Sequence, residues 1–308
     1  MVGEHIDTDT TLGLVVQHRG EVVAEAYADG VTAETTLISW SMAKSITHAL
    51  VGMAQMDGLL DVQAPTGIAL WQNDDRKHIT LQHLLEMRSG LAWIEDYVEG
   101  NESNVIEMLF GSGKDDHAAY AIDQPLASTP GSVWYYSSGT TNIVARLLGD
   151  ALGDKHGSSA LTRAFIQERL FDVIGMTSAT AQFDAAGTFV GSSYVYATAR
   201  DFAKFGELYL RDGLWEGKRI LPQGWVDHAR AQTVIDDETG QGYGAHWWTQ
   251  PGEPNSLIAS GYEGQQIVVL PEHDLVIVRL GKTVAEKRAV VRDGLFEIAE
   301  MFTVAGQQ

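Results

Sequence analysis

Two short β-rich runs near the beginning of the chain predict a hairpin. The runs are Leu12–His18 and Val22–Ala28, and Arg19-Gly20 joins them. Beyond the hairpin, apolar residues recur at spacings of three and four from Met42 to about Met56, which predicts an amphipathic helix. Asp57-Gly58 ends this helix, because glycine is common at a helix C-terminus.

The middle of the chain has a helical pattern, and the last third returns to strands. Periodic apolar segments predict helices at Leu81–Met87, Val105–Phe110, Thr141–Leu152, Ala160–Leu170 and Ala199–Leu210. Short runs bounded by Gly or Pro predict strands at Tyr243–Thr249, Leu257–Gly261, Gln265–Leu270 and Leu275–Leu280. A final amphipathic helix is predicted from about Val284 to Met301.

Strands at both chain ends, with helices between them, predict one sheet assembled from the two ends. The connections between the late strands are short, so these strands should pair antiparallel. The predicted fold class is α/β, with an antiparallel sheet flanked by helices and an inserted, mainly helical lobe. Residues 1–60 and 200–308 would form the α/β sandwich domain, and residues 61–199 the helical lobe.

The charge of the chain narrows the classes of partner. Its 308 residues include 41 acidic and 21 basic ones, which gives a formal net charge of -20. Such a surface repels a phosphate backbone and an anionic membrane, so we expect neither nucleic acid nor a membrane as a partner. We expect a small-molecule ester or amide substrate. The sequence does not distinguish a monomer from a homodimer.

Several other classes of site are excluded by composition and spacing. The absence of cysteine excludes disulfides, thiolate nucleophiles and Cys-based zinc sites. The histidines show no metal-ligand spacing and there is no phosphate-binding glycine loop, so we expect no metal and no cofactor. The N-terminal residues do not resemble a signal peptide, and no apolar stretch reaches the ~20 residues that span a bilayer. We expect a cytoplasmic protein, or a periplasmic or secreted one if the natural chain begins earlier.

A Ser-x-x-Lys motif stands at the start of the first predicted helix. A spacing of three places the side chains of Ser41 and Lys44 on one helix face. A serine hydroxyl becomes nucleophilic when a base takes its proton, and a partly desolvated lysine serves as such a base. The helix N-terminus also favours developing negative charge. Alone, the motif is also what an ordinary helix start shows, because four-residue matches arise by chance.

Two further segments carry polar chemistry in loops. Tyr136, on the loop before a predicted helix, is either a proton shuttle or a packed aromatic anchor. Ala259-Ser260-Gly261-Tyr262 stands at a predicted strand end, where glycine lets a substrate approach the strand and a backbone N–H complete an oxyanion hole. A simple turn is the alternative there. The Ser-x-x-Lys motif, the tyrosine and the Ser-Gly segment are each weak evidence for an active site alone, but their order along the chain makes them strong evidence together.

With these motifs the chain resembles the penicillin-recognising serine hydrolases. That family includes class C β-lactamases, D-Ala-D-Ala carboxypeptidases, related esterases and aminohexanoate hydrolases. It is marked by Ser-x-x-Lys, then Tyr-x-Asn or Tyr-x-Ser, then a strand motif that ends in Thr-Gly or Ser-Gly. The resemblance extends over nearly the whole chain, since the N-terminal hairpin and the closing strands and helix also match the family layout.

The resemblance implies a role for each motif residue. Ser41 would be acylated, Lys44 would hold or accept its proton, and Tyr136 would protonate the leaving group and later activate water. Tyr135 also begins a Tyr-x-Ser, but the spacing from Pro130-Gly131 favours Tyr136. Backbone N–H groups of Ser41 and Tyr262 would form the oxyanion hole. The residues implied for oxyanion and substrate binding are Ser41, Tyr262, Gly261, Ser260 and Ser138.

Two positions depart from the family pattern and redirect the expected substrate. Ser138 stands where β-lactamases and peptidases usually carry Asn, and Ala259 where they carry a lysine that pairs with the substrate carboxylate. No other basic residue lies near Ala259. We therefore expect an esterase or a linear-amide hydrolase similar to the aminohexanoate branch. A β-lactamase or D-amino-acid peptidase is the enzymatic alternative, and a non-catalytic penicillin-binding-like protein is the alternative of another class.

Six more residues are candidates either for a functional role or for packing in the core. We expect His48, one turn after Lys44, to pack within its helix rather than act as a base. Aromatic residues that either line an apolar acyl pocket or belong to the core are Trp93, Trp134, Tyr243, Trp247 and Trp248.

Overall fold

The structure is a computed structural model that describes residues 10–98 and 100–304. Its strands are β1 (Thr11–His18), β2 (Glu21–Tyr27), β3 (Leu37–Ile38), β4 (Thr180–Ala181), β5 (Val195–Ala197), β6 (Leu214–Trp215), β7 (Lys218–Arg219), β8 (Val234–Ile235), β9 (Gly242–Tyr243), β10 (Trp248–Thr249), β11 (Leu257–Gly261), β12 (Gln265–Leu270) and β13 (Leu275–Gly281). Its helices are α1 (Ala43–Met56), α2 (Leu81–Leu85), α3 (Asn104–Phe110), α4 (His117–Ile122), α5 (Ser138–Leu152), α6 (Ala160–Ile166), α7 (Ala199–Leu210), α8 (Trp225–Arg230) and α9 (Arg288–Val304).

Eight strands form one antiparallel sheet in the order β2-β1-β13-β12-β11-β10-β9-β8. Strand β1, near the beginning of the chain, pairs with β13, so that Val15 lies opposite Val278. The predicted fold class, an antiparallel sheet built from both chain ends and flanked by helices, is confirmed. The boundaries of the two predicted domains stay a prediction, and residues 1–9 and 305–308 lie outside the described residues.

Both faces of the central strands are buried, each in a different apolar cluster. Successive side chains of a strand point to opposite faces of the sheet. In β12, Ile267 and Val269 therefore join one cluster, while Val268 and Leu270 join the other. Residues of α7 pack on the first face, and residues of α9 cover the second with Leu295, Ile298 and Ala299. Residues 267–270 of β12 consequently form a continuous apolar run, typical of a strand segment buried on both sides.

The helical part of the chain shares its core with the sheet. Buried residues of α2, α5 and α6 such as Leu84, Ile143 and Phe165 belong to the same cluster as Ile267. Helix α1 packs against α5, and every residue from Ala43 to Ala54 is buried. The start of α1 is therefore held rigidly from several sides.

Three predicted elements differ from the observed ones in where they end or in whether they are continuous. The predicted strand Tyr243–Thr249 is two short paired strands, β9 and β10, because the chain reverses at His246, whose φ is 57°. The predicted helix Ala160–Leu170 ends at Ile166 and continues as a turn of π-helix, Gln167–Phe171. The predicted helix Leu81–Met87 stops at Leu85, because Met87 has a left-handed φ of 58°.

Helix α7 approaches the sheet closely at Gly206. A Cβ at this position would lie 2.6 Å from Cγ1 of Val276 and 2.9 Å from Cγ2 of Ile267. We expect Gly206→Ala to lower the free energy of unfolding by about 1–3 kcal/mol, because overpacking outweighs the better helix propensity of alanine. Urea unfolding measures this, with Gly149→Ala as the matched control, where the new Cβ meets only a hydroxyl at 3.3 Å. Equal stabilities of the two variants would contradict the close packing.

Two histidines, His48 and His246, are buried, and His228 lies half-buried beside His48. Nδ1 of His48 lies 2.8 Å from the Tyr209 hydroxyl, and its Nε2 lies 3.0 Å from Nδ1 of His228. His246 contacts the hydroxyl of Thr141 at 3.0 Å. Burial lowers the pKa of all three imidazoles, to about 3 for His246.

These depressed pKa values predict an acid-sensitive fold. The unfolded chain binds protons at these histidines below pH ~6.5, whereas the native protein binds them only at lower pH. The free energy of unfolding should therefore fall as pH drops below ~6.5, by up to about 1.4 kcal/mol per pH unit for each histidine. Urea unfolding between pH 8 and pH 5 measures the slope, and His48→Gln should make it shallower. An unchanged slope in that variant would remove His48 from the account.

Candidate active site

Ser41 lies in a 3₁₀ turn, Trp40–Met42, that leads directly into α1. Trp40 has a left-handed φ of 43°, which is rare for a large side chain. Its ring centroid lies 6.0 Å from that of Tyr194 and 5.9 Å from that of Tyr262, and its Nε1 donates to Glu263 at 3.3 Å. These contacts hold the strained backbone that places Ser41 in the wall of a cleft.

The amine of Lys44 is the centre of the site. Nζ lies 3.0 Å from Oγ of Ser41, 2.9 Å from Oγ of Ser138 and 3.0 Å from the carbonyl oxygen of Ser192. The side chain is 2% exposed. Burial lowers the pKa of Lys44 to about 8, although the negative charge of Glu95 raises it in part. A substantial fraction of the amine is therefore neutral near pH 8.

Tyr136 lies beside this amine, at the end of the loop that precedes α5. The hydroxyl of Ser137 accepts from Thr140 N at 3.1 Å and caps α5, which fixes the end of the loop. The Tyr136 ring centroid is 4.9 Å from Lys44 Nζ and 5.8 Å from the Trp248 ring, on which it stacks. Tyr135, in contrast, is 49% exposed and does not line the cleft.

The protonation of Tyr136 follows from its surroundings. Burial raises its pKa well above the ordinary value, and the charge of Glu95 raises it further. A hydrogen bond with Ser41 lowers the pKa in part. The phenol therefore keeps its proton at neutral pH and is available as a donor.

The end of β11 brings Gly261 and Tyr262 next to Ser41. A Cβ at Gly261 would lie 2.5 Å from the carbonyl oxygen of Ser39 and 3.2 Å from the backbone nitrogen of Ser41, so only glycine permits this approach. The next turn is fixed by buried Arg279, whose Nη1 donates to the carbonyl oxygen of Glu263 at 3.0 Å. Ser41, Gly261 and Tyr262 all line the same cleft.

The cleft has a volume of about 440 Å³, within the range of small-molecule sites. Five of the seven predicted site residues line it: Ser41, Tyr136, Ser260, Gly261 and Tyr262. The other two, Lys44 and Ser138, are buried behind its wall with their polar atoms in contact. Of the aromatic candidates, Trp248 lines the cleft, whereas Tyr243 and Trp247 are buried in the core. His48 also belongs to the core.

Glu95 is the residue of this network that the sequence did not reveal. Its Oε1 accepts from the hydroxyls of Ser138 at 2.5 Å and Tyr97 at 2.6 Å. Its Oε2 accepts from the backbone nitrogen of Ser138 at 2.8 Å and from Nε1 of Trp93 at 2.6 Å. A continuous chain of hydrogen bonds thus runs from Ser41 through Lys44 and Ser138 to a carboxylate. No motif surrounds Glu95, so only the fold could identify it.

Two basic residues that are distant from Ala259 in the sequence lie in the cleft. Arg288 and Arg292, at the beginning of α9, line the same cleft as Ser41. The last helix packs its first turns beside the end of β11, which sequence distance alone conceals. Ala259 itself is buried, with 1% of its surface exposed.

The part of the chain that the structure describes contains neither a candidate metal site nor a helix that could span a membrane. Within residues 10–98 and 100–304, no three His, Asp or Glu side chains are grouped so that they could bind a metal ion. In the same residues, the helices are too short or too polar to cross a bilayer.

Comparisons with known proteins agree with this architecture. The family model described as Beta-lactamase matches residues 7–299. The chain is 24% identical to a 6-aminohexanoate-dimer hydrolase of Paenarthrobacter ureafaciens over 294 residues, which cover 90% of this chain and 74% of the relative.

Solved structures show the same fold. A Bacillus anthracis protein provisionally named a 6-aminohexanoate-dimer hydrolase superposes with a TM-score of 0.83 at 24% identity, covering 98% of this chain and 82% of that one. A D-stereospecific amidohydrolase from a Streptomyces species superposes with a TM-score of 0.68 at 15% identity, covering 94% of each chain. Since the family model matches almost the entire sequence, this chain belongs to the beta-lactamase family.

Proposed function

We propose that the protein cleaves a carboxylic ester or a linear amide through an acyl-enzyme on Ser41. Membership of a hydrolase family supports the general reaction. The observation that carries the specific proposal is the buried amine of Lys44, held 3.0 Å from the Ser41 hydroxyl with a pKa lowered to about 8. A base of this kind is what a serine nucleophile requires.

The contacts of Lys44 explain how its neutral form acts as the base. A neutral amine has two N–H groups and one lone pair. The carbonyl of Ser192 can only accept, so it takes one N–H. Ser138 already donates its own proton to Glu95, so its oxygen takes the other. The lone pair then faces the Ser41 hydroxyl and receives its proton as Oγ attacks the substrate carbonyl.

Tyr136 has the complementary role of proton donor. Its raised pKa keeps the phenol protonated, and it lies beside both Ser41 and Lys44. We assign it the transfer of a proton to the leaving group as the carbonyl–heteroatom bond breaks, with the proton replaced from Lys44. Water then attacks the acyl carbonyl, the bond between the acyl group and Ser41 Oγ breaks, and a proton from the water returns to Oγ as the carboxylic acid is released. The backbone N–H groups of Ser41 and Tyr262 stabilise the oxyanion in both steps.

Two observations favour an ester or linear amide over a β-lactam or D-amino-acid peptide. The position of the family's third-motif lysine is the buried Ala259, so that cation is missing from the strand. The curated relative with 24% identity is named for hydrolysis of the 6-aminohexanoate dimer. A linear amide of that kind is therefore the amide substrate we would test first.

Removal of the nucleophile should abolish turnover. We expect Ser41→Ala to lower kcat for a short-chain 4-nitrophenyl ester by roughly 10³–10⁶-fold, and Lys44→Met to cause a loss of the same order. The matched control is Ser45→Ala on the same helix, whose hydroxyl donates to the carbonyl of His246 rather than facing the cleft. Steady-state kinetics measures the loss of turnover, and intact-protein mass spectrometry detects the acyl-enzyme. Equal rates in Ser41→Ala and wild type would refute the proposal.

The charge of Glu95 should set the pH range of activity. Neutral Lys44 is the active base, so kcat/KM should rise as pH increases through about 8. Glu95 raises the pKa of Lys44, so Glu95→Gln, which keeps the shape but removes the charge, should move this rise to lower pH. The measurement is a pH profile of kcat/KM, with Glu107→Gln on α3, outside the cleft, as control. If the pH dependence of kcat/KM is the same in Glu95→Gln as in wild type, Glu95 has no influence on the pKa of Lys44.

A further inference from the structure

The two backbone segments that carry the proposed oxyanion donors are each held in an unusual conformation. Trp40 directly precedes Ser41 and has a φ of 43°. Glu263 directly follows Tyr262 and has a φ of 59°. Large side chains rarely adopt such left-handed angles, because Cβ crowds the backbone. Conformations of this kind persist only where surrounding contacts offset the strain, so the contacts of Trp40 and Glu263 determine the path of the neighbouring backbone.

The two strained residues are bonded to each other. Nε1 of Trp40 donates to a carboxylate oxygen of Glu263 at 3.3 Å, although 223 positions separate the two residues in the sequence. The Trp40 ring also packs edge-on against the Tyr262 ring, with 5.9 Å between the centroids. The Glu263 side chain is half-buried and does not line the cleft. It therefore lies outside the reaction space, yet it connects the segment of Ser41 with the segment of Tyr262.

The backbone of Glu263 is fixed from another side. Its carbonyl oxygen accepts from Nη1 of Arg279 at 3.0 Å and from the backbone nitrogen of Thr283 at 3.0 Å. Arg279 is buried, and the same Nη1 donates to the carbonyl oxygen of Gly264 at 3.0 Å. The main chain of the turn is thus anchored to β13 and the residues after it, while the carboxylate of Glu263 reaches Trp40.

An oxyanion hole depends on the relative position of its donors. Each N–H must lie about 2.7–3.1 Å from the oxygen that becomes negative, and removal of one donor costs roughly 10²–10³-fold in kcat. The proposed donors here, Ser41 and Tyr262, belong to segments that are distant in the sequence. The bond between Trp40 and Glu263 joins these segments one residue away from each donor. A change in this bond should therefore alter the separation of the two N–H groups.

We propose that Glu263 is a positioning residue, which holds the backbone N–H groups of Ser41 and Tyr262 at the separation that the transition state requires. This inference rests on the proposed function. Glu263 acts through two contacts, since its carboxylate holds Trp40 and its carbonyl is held by Arg279. It affects the transition state more than the bound substrate, because the carbonyl oxygen gains its negative charge only during the reaction.

Replacement of Glu263 by glycine separates positioning from stability. Glu263→Gly removes the carboxylate but relieves the left-handed strain, so we expect a urea unfolding midpoint close to that of wild type. We expect kcat for a short-chain 4-nitrophenyl ester to fall by roughly 10- to 100-fold, with KM within about threefold. Glu263→Gln keeps an acceptor oxygen for Trp40 and should hold kcat within about threefold of wild type.

The matched control is Glu216→Gly. Glu216 is exposed, has a left-handed φ of 48°, and lies in the hairpin of β6 and β7. It does not line the cleft. The control therefore makes the same chemical change at the same kind of backbone position, and it should leave kcat and KM unchanged.

A boronic acid tests the oxyanion hole itself. Its boron bonds to the serine oxygen, and the tetrahedral adduct places a boron-bound oxygen where the oxyanion would lie. In Glu263→Gly, the inhibition constant of phenylboronic acid should rise by roughly the factor by which kcat falls, because a transition-state analogue depends on the same donors. A purely structural role would lower the amount of folded enzyme and leave the inhibition constant in place.

Trp40→Phe tests the same contact from the other segment. Phenylalanine keeps an aromatic ring beside Tyr262 but has no N–H for Glu263. We expect kcat to fall as in Glu263→Gly, and the double variant to lose little more, because both changes remove one interaction. If the losses of the two single variants multiply in the double variant, the residues act independently and the proposal is overturned.

The outcomes distinguish this inference from the proposed hydrolysis. If wild type neither hydrolyses the ester nor binds phenylboronic acid, the proposed function fails and this inference fails with it. If wild type does both and Ser41→Ala does neither, the hydrolytic proposal is supported. Unchanged kcat and inhibition constants in Glu263→Gly would then refute the positioning role alone, and so would an equal loss of kcat in Glu216→Gly.

Discussion

The burial of one amine is the constraint on which the site depends. Lys44 is almost completely enclosed, and among the described residues its Nζ forms hydrogen bonds with two hydroxyls and a carbonyl but with no carboxylate. Desolvation therefore outweighs the attraction of Glu95, which acts through Ser138, and the pKa falls to about 8. A direct ion pair would hold the amine charged and leave no lone pair for the nucleophile. In the fold, the hydroxyl of Ser138 lies between the Glu95 carboxylate and the Lys44 amine.

The parts of the site that are local in sequence could be predicted from the sequence. Ser41 and Lys44 are three residues apart on a helix, and helix geometry alone brings them together. Tyr136 and Gly261 could be assigned only through the resemblance to a known family, because their distance from Ser41 along the chain says nothing about their position in space. Most strands and helices were also predicted, since their apolar patterns match the faces that are buried in the structure.

The rest depends on contacts that no local pattern encodes. Glu95 stands in an irregular loop, and its four donors come together only when that loop folds against the start of α5. Arg288 reaches the cleft because α9 covers the second face of the sheet. The strand predicted at Tyr243–Thr249 was wrong because its aromatic residues favour β-structure and conceal the reversal at His246. Its two halves nevertheless pair within the predicted sheet.

The titration of the Lys44 amine tests the central claim most directly. The chain has eight lysines, and carbon-13 NMR of their ε-carbons follows each amine as the pH is raised. The structure predicts one lysine with a pKa of about 8, against an ordinary value of 10.5, whose signal is missing in Lys44→Met. If that signal instead titrates at or above the ordinary value, the amine is charged at neutral pH, and the base on which the proposed mechanism depends is not there.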